Sequence, residues 1–248
     1  MRKTYTTPAG EFSPLYADML EQTHLLIAGA TGSGKSTVVN GIMQAALMDS
    51  PVKRAFILID PKGTELSDYA NIPHCVAYAQ KTDACIDALR YALKLTEKRF
   101  EEMKRARVKE YTGAHVYVVI DELMFLLNRP AYKKQVIDLL QDILVIARAA
   151  RVHVIACTQF IPAIPTCLRC NFDCKLGLRT ATSQDSRNVI GVKGCEKFPD
   201  PKKSGVAYGM YLRGANMDLY KLPLIPYEWN EKLIAYWKSP AGRGRIAR

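Results

Sequence analysis

The sequence predicts an α/β fold, with a central, mostly parallel sheet flanked by helices. Short apolar runs rich in β-branched residues recur along the chain, helical patterns lie between them, and the first run passes into a helix across a glycine-rich loop. The runs are nearly continuous rather than alternating, as expected of parallel strands covered on both faces.

Residues 1–20 read as an N-terminal extension, 21–226 as one domain, and 227–248 as a basic C-terminal tail. The first strand is "HLLIA" from His24, and the loop after it leads into a helix predicted over 35–48. "RAFILID" is the second strand, followed by a helical pattern over 83–107; "VYVVID" is the third, followed by one over 131–150. "VHVIACTQ" is the fourth strand, and residues 170–222 predict further strands with a short helix near 183–190.

A chain of 248 residues suffices for one sizeable α/β domain and is tight for two. With 48% apolar and 24% charged residues it is not a disordered chain, and its formal charge of +11 favours a polyanionic partner. No apolar run approaches the ~18 residues that a membrane span needs, and "MRKTYTTPAGEF" lacks the apolar core of a signal peptide. The expectation is a cytosolic chain without a span of its own, in which the seven cysteines are reduced thiols. Cys167, Cys170 and Cys174 with Cys195 would supply four thiolates to zinc. Their spacing fits no common zinc module, however, and "FDCKLGLR" reads as a strand, so free thiols are the preferred reading.

The chemistry begins in the first loop. Gly29-Ala30-Thr31-Gly32-Ser33-Gly34-Lys35-Ser36 matches G-x-x-x-x-G-K-[ST] between a predicted strand and a predicted helix. The glycines let backbone N–H groups face phosphates, and the helix start through Thr37 adds its positive dipole end. Lys35 is placed for the β/γ-phosphates of ATP, and the Ser36 hydroxyl for Mg²⁺. "VYVVIDE" then ends a strand on two carboxylates. Asp121 suits the Mg²⁺ shell, and Glu122 is placed to take a proton from the attacking water, a pairing that points to hydrolysis. Thr158-Gln159 ends the fourth strand, where Gln159 is a candidate γ-phosphate sensor.

These residues carry a family resemblance. "HLLIAGATGSGKS", "FILIDPKGTELSDYANIPH", "VVIDE", "ARAARVHVIACTQ" and "DSRNVIG" occur in the order seen in the RecA-like P-loop motor domain of the FtsK/SpoIIIE double-stranded DNA translocases, and the similarity runs from about His24 to Gly214. The resemblance implies a homo-oligomeric ring, usually hexameric, that surrounds duplex DNA and hydrolyses ATP between subunits. It also implies that Asp60 and Lys62 of "IDPK" flank the nucleotide and that Arg148 is the finger supplied to a neighbour, with Arg151, Arg179 and Arg187 as alternatives. The chain resembles a bare motor. Such a motor is expected in mobile elements or phages, serving conjugation, segregation or packaging, alongside a relaxase or transfer machinery. Two other readings stay open: a type VII protein-secretion ATPase of the same class, and an adaptor that binds ATP and DNA without moving.

A motor that crosses any sequence should grip phosphates with lysines and arginines. Candidates for DNA contact are Lys175, Arg179, Arg187, Lys193, Lys197, Lys202 and Lys203. The tail arginines Arg243, Arg245 and Arg248 are left unassigned.

Overall fold

The computed structural model describes residues 5–7, 10–12, 16, 19–21, 24–222 and 227–244. A two-stranded antiparallel hairpin, β1 (Tyr5–Thr7) with β2 (Gly10–Phe12), precedes the domain. The main sheet has eight strands: β3 (His24–Ala28), β4 (Arg54–Ile59), β5 (Cys75–Ala79), β6 (His115–Ile120), β7 (Val152–Thr158), β8 (Cys174–Gly177), β9 (Ala207–Arg213) and β10 (Asn216–Leu222). Their spatial order is β10-β9-β8-β3-β7-β6-β4-β5. The six strands from β8 to β5 are parallel, and the β9–β10 hairpin joins antiparallel at the β8 edge. The predicted α/β class and the four leading strands are observed.

Each central strand is buried on both faces because successive side chains feed opposite cores. Leu26, Ile57, Ile59, Val118, Ile120 and Val154 face a core closed by the helices Thr82–Ala106 and Pro130–Ile146. Leu25, Ile27, Phe56, Leu58, Tyr117 and Ile155 face the other, closed by the helix Lys35–Leu47. That double burial is why the runs lack alternation. The helix expected over 131–150 stops at Ile146, where the chain turns and Arg151, at φ +54°, redirects it into β7.

Both outer boundaries are corrected. Tyr16, Met19 and Leu20, expected in an extension, are buried in the second core. Tyr16 lies so close to Gly41 that a Cβ there would come within 2.5 Å of its ring. At the other end, residues 227–238 form a helix rather than a tail. Its Trp237 is fully buried and donates its indole N–H to the Leu47 carbonyl at 2.9 Å, and its Asn230 accepts from Gln44 at 2.6 Å. The indole thus satisfies one of the orphan carbonyls at the end of the Lys35–Leu47 helix, while its burial contributes about 2 kcal/mol or more. Of the tail arginines, Arg243 lies in a further short helix, Pro240–Gly244; Arg245 and Arg248 lie outside the described residues.

Candidate nucleotide site

The loop after β3 is rooted in its neighbours. Gly29 N–H donates to the Thr158 carbonyl at the tip of β7, and Ala30 N–H to the Arg179 carbonyl just beyond β8. A Cβ on Gly29 would meet Ser33 Oγ at 2.5 Å and Leu178 Cβ at 2.8 Å, so only glycine fits this crossing. Gly34 takes φ +101° and opens the helix with no side-chain cap. The uncapped first turn, with its positive dipole end, forms part of a cavity wall. This is the feature that fits phosphate.

The cavity encloses about 450 Å³. Thr31, Gly32, Gly34 to Thr37, Lys62, Glu65, Asp121, Glu122 and Gln159 are among the residues that line it. The topology explains the meeting: β3 and β6 are separated only by β7, so the loop, the acidic pair and Gln159 emerge from three consecutive strand tips. Lys35 Nζ donates to the Gly29 carbonyl at 2.7 Å and the Ala30 carbonyl at 3.0 Å, and burial holds its pKa below the ordinary lysine value. A phosphate oxygen would give that ammonium a stronger, charged acceptor. Thr31 Oγ1 donates to Gln159 Oε1 at 2.8 Å, which ties the candidate sensor to the loop.

Asp121 is pushed up to about 6, by burial first and then by the charges of Glu65 and Asp60, with Lys62 opposing. A crowded carboxylate of this kind is relieved by a cation. With the Ser36 hydroxyl it offers an all-oxygen donor set, which suits Mg²⁺. Glu122 is 8% exposed and accepts from Met124 N–H at 3.3 Å, so it caps the short helix Leu123–Leu127 while still facing the cavity. A second cavity of about 430 Å³ adjoins on the Glu122 side, sharing Lys62, Glu122 and Gln159 and adding Phe125, Arg129 and Phe160.

Three expected placements change. Asp60 does not flank the cavity: it is fully buried, and its carboxylate accepts from the backbone N–H groups of Gly63, Glu65 and Leu66, so it shapes the loop that presents Lys62 and Glu65. Ser33, 1% exposed, and the half-buried Ala30 likewise do not line the cavity. Lys202, expected among the DNA contacts, lines the nucleotide cavity together with Pro201. Of the remaining cationic candidates, Lys175 and Arg179 are half-buried, whereas Arg187, Lys193, Lys197 and Lys203 are exposed.

Arg148 is exposed just beyond the Pro130–Ile146 helix, near enough to His24 for its charge to add to the burial that pushes that imidazole down to about 4. His24 begins β3 and the phosphate loop follows its end, so Arg148 is at the opposite end of the strand from its own cavity. Sequence reasoning missed Glu65, five residues beyond Asp60 and brought to the cavity only by the turn that Asp60 organises. Among the described residues no group of three or more His, Cys, Asp or Glu is placed to hold a metal, and no helix is long and apolar enough to cross a membrane.

The fold and the loop define a P-loop ATPase architecture. A sequence model of the FtsK/SpoIIIE family matches residues 7–193, and the chain belongs to that family. It is 28% identical over 231 residues to the DNA translocase FtsK of Rickettsia prowazekii, a match covering 75% of this chain and 31% of that one, so the chain spans about a third of that relative. The pCW3 conjugation coupling protein TcpA, solved as a monomer with ATPγS, superposes with a TM-score of 0.74 at 20% identity, covering 90% of this chain and 66% of that one. The cytoplasmic domain of the Thermomonospora curvata type VII secretion ATPase EccC gives 0.70 at 23% identity, over 82% of this chain and 25% of that one.

Proposed function

We propose that the chain is an ATP-hydrolysing motor that moves double-stranded DNA in the cytoplasm, assembled as a homo-oligomeric, hexameric ring and serving DNA transfer, segregation or packaging. The single observation that supports this most is the meeting of Lys35, Ser36, Asp121 and Glu122 on one cavity, within a family whose curated relatives are named DNA translocases. In this reading Lys35 and the first helical turn hold the phosphates. Ser36 and Asp121 hold Mg²⁺, which would neutralise phosphate charge when bound, and Glu122 takes the proton of the attacking water. Arg148, remote from its own cavity, is the group lent to a neighbour, and the second cavity beside Glu122 is where a neighbour's guanidinium would enter.

DNA is gripped through its phosphates by the exposed Arg187, Lys193, Lys197 and Lys203. Hydrolysis should then be stimulated similarly by duplexes of unrelated sequence, and log K should fall with log salt at roughly −0.9 per phosphate contact. Replacing the four cations by alanine should flatten that slope and lower the stimulation. The likeness to EccC favours one rival, a motor driving polypeptide. Stimulation by an unfolded protein and not by duplex would establish that rival and end the DNA reading.

A further inference from the structure

We propose that Lys202 is a nucleotide-binding residue, holding the α- and β-phosphates of the bound nucleotide from beside the phosphate loop. This rests on the nucleotide reading of the cavity and adds to it a cation contributed from about 170 residues further along the chain.

The turn that carries Lys202 is fixed at both ends. The Asp200 carboxylate accepts from Lys202 N–H at 3.0 Å, Ser204 Oγ donates to the Asp200 and Val206 carbonyls at 3.0 and 2.9 Å, and Gly205 turns the chain at φ +68° into β9. This segment meets the phosphate loop at two points. A Cβ on Gly34 would lie 3.0 Å from that of Ala207, and a Cβ on Gly32 would lie 3.6 Å from Lys202 Cε. The last methylene before the ammonium therefore sits against the loop itself. Among the described residues no carboxylate lies within 4.0 Å of that ammonium, so its charge is not spent on an ion pair.

The contact with Gly32 gives the orientation. Lys62, Glu122 and Gln159 line both cavities, whereas the phosphate loop, Glu65, Asp121, Pro201 and Lys202 line only the first. Lys202 thus stands on the loop rather than on the wall that the two cavities share, and the N–H groups of such a loop cradle the α- and β-phosphates. The phosphates assigned to it are those common to ATP and ADP. A contact of that kind is uniform: it strengthens ground state and transition state alike, and its loss raises KM while leaving kcat in place. A charged hydrogen bond to phosphate corresponds to an affinity change of about tenfold or more.

The test is titration of ADP and of ATPγS, each with Mg²⁺, against wild type, Lys202→Ala and Lys202→Arg, with duplex binding measured across a salt series. Lys202→Ala should weaken both nucleotides by the same factor, about tenfold, and raise KM for ATP by a similar factor at unchanged kcat. Lys202→Arg should restore most of the affinity, and the salt slope for duplex should match wild type in both variants. Wild-type ADP affinity in Lys202→Ala, with or without a flattened salt slope, would overturn the assignment, the flattened slope returning Lys202 to the DNA surface. Weakened ATPγS with unchanged ADP would also overturn it, by moving Lys202 to the γ-phosphate. If wild type itself bound neither nucleotide, the cavity reading would fail rather than the role of Lys202.

Discussion

Asp60 and Asp121 each follow the last residue of neighbouring parallel strands, and Ile59 and Ile120 before them are in register. In sequence both are an aspartate ending an apolar run. In the fold, one is sealed under three backbone N–H groups of its own loop and the other stands in a cavity wall among other carboxylates. The residues that follow decide the difference. "PKGTEL" after Asp60 turns back over it and donates N–H groups, whereas Glu122-Leu123 after Asp121 starts a helix that leads away. A strand-tip aspartate acquires a structural or a chemical role from where the next few amides point.

The largest effect should come from the neighbour of the cavity-lining member. Glu122→Gln should retain ATP and lose hydrolysis by on the order of 10²- to 10⁴-fold, whereas Lys35→Ala should bind ATP poorly, as equilibrium binding and steady-state turnover will report. Near-wild-type turnover in Glu122→Gln would remove the base from this side of the contrast. Mixing it with Arg148→Ala subunits should recover activity above the sum of the two alone, because Arg148 of the first can then serve Glu122 of the second.

Next in size is the stability contrast between the aspartates themselves. Asp60→Ala takes the carboxylate acceptor from three N–H groups, that of Leu66 buried, and should cost about 2 kcal/mol in denaturant unfolding. Asp121→Asn should leave the free protein as stable as wild type or more so at neutral pH, because it removes a charge that burial and neighbouring carboxylates disfavour. Equal losses in the two variants would erase the distinction.

The smallest effect is in pH. Asp121 rises from 3.8 to about 6 on folding, so between those values the folded chain binds more protons than the unfolded one. Stability of the free protein should therefore fall as pH rises through that window, and Asp121→Asn should flatten this dependence. Nucleotide binding with Mg²⁺ needs the ionised carboxylate and should run the other way, weakening as pH drops below about 6. A binding curve flat from pH 5 to 7 would place the cation elsewhere.

Most of the sheet and the heart of the site are legible in the sequence because they are local. A strand, a glycine loop and a helix start lie within Gly29 to Thr37, and Asp121-Glu122 closes an unmistakable strand. Lys202 was out of reach for the opposite reason, since only the β8–β9 pairing brings it over Gly32. Asp60 was misplaced because hydrogen bonds to a following loop leave no periodic trace. The helix at 227–238 had left one: Trp229, Leu233, Ile234 and Trp237 recur at helical spacing, masked by the basic residues beyond. The edge strand β5 is five residues long, with Val76 exposed, too short and too open for an apolar run to announce it.

Trp237 gives this molecule an optical handle. Its indole is one of only two in the chain, is fully enclosed, and stands edge-on to His74 at 4.4 Å between ring centroids. Because that ring is bonded to the end of the helix whose other end lines the candidate nucleotide cavity, its emission reports on that helix as well. With Trp229 replaced by phenylalanine, a single blue-shifted emitter remains, and its red shift would time the undocking of the C-terminal helix in a stopped-flow cell without any attached dye.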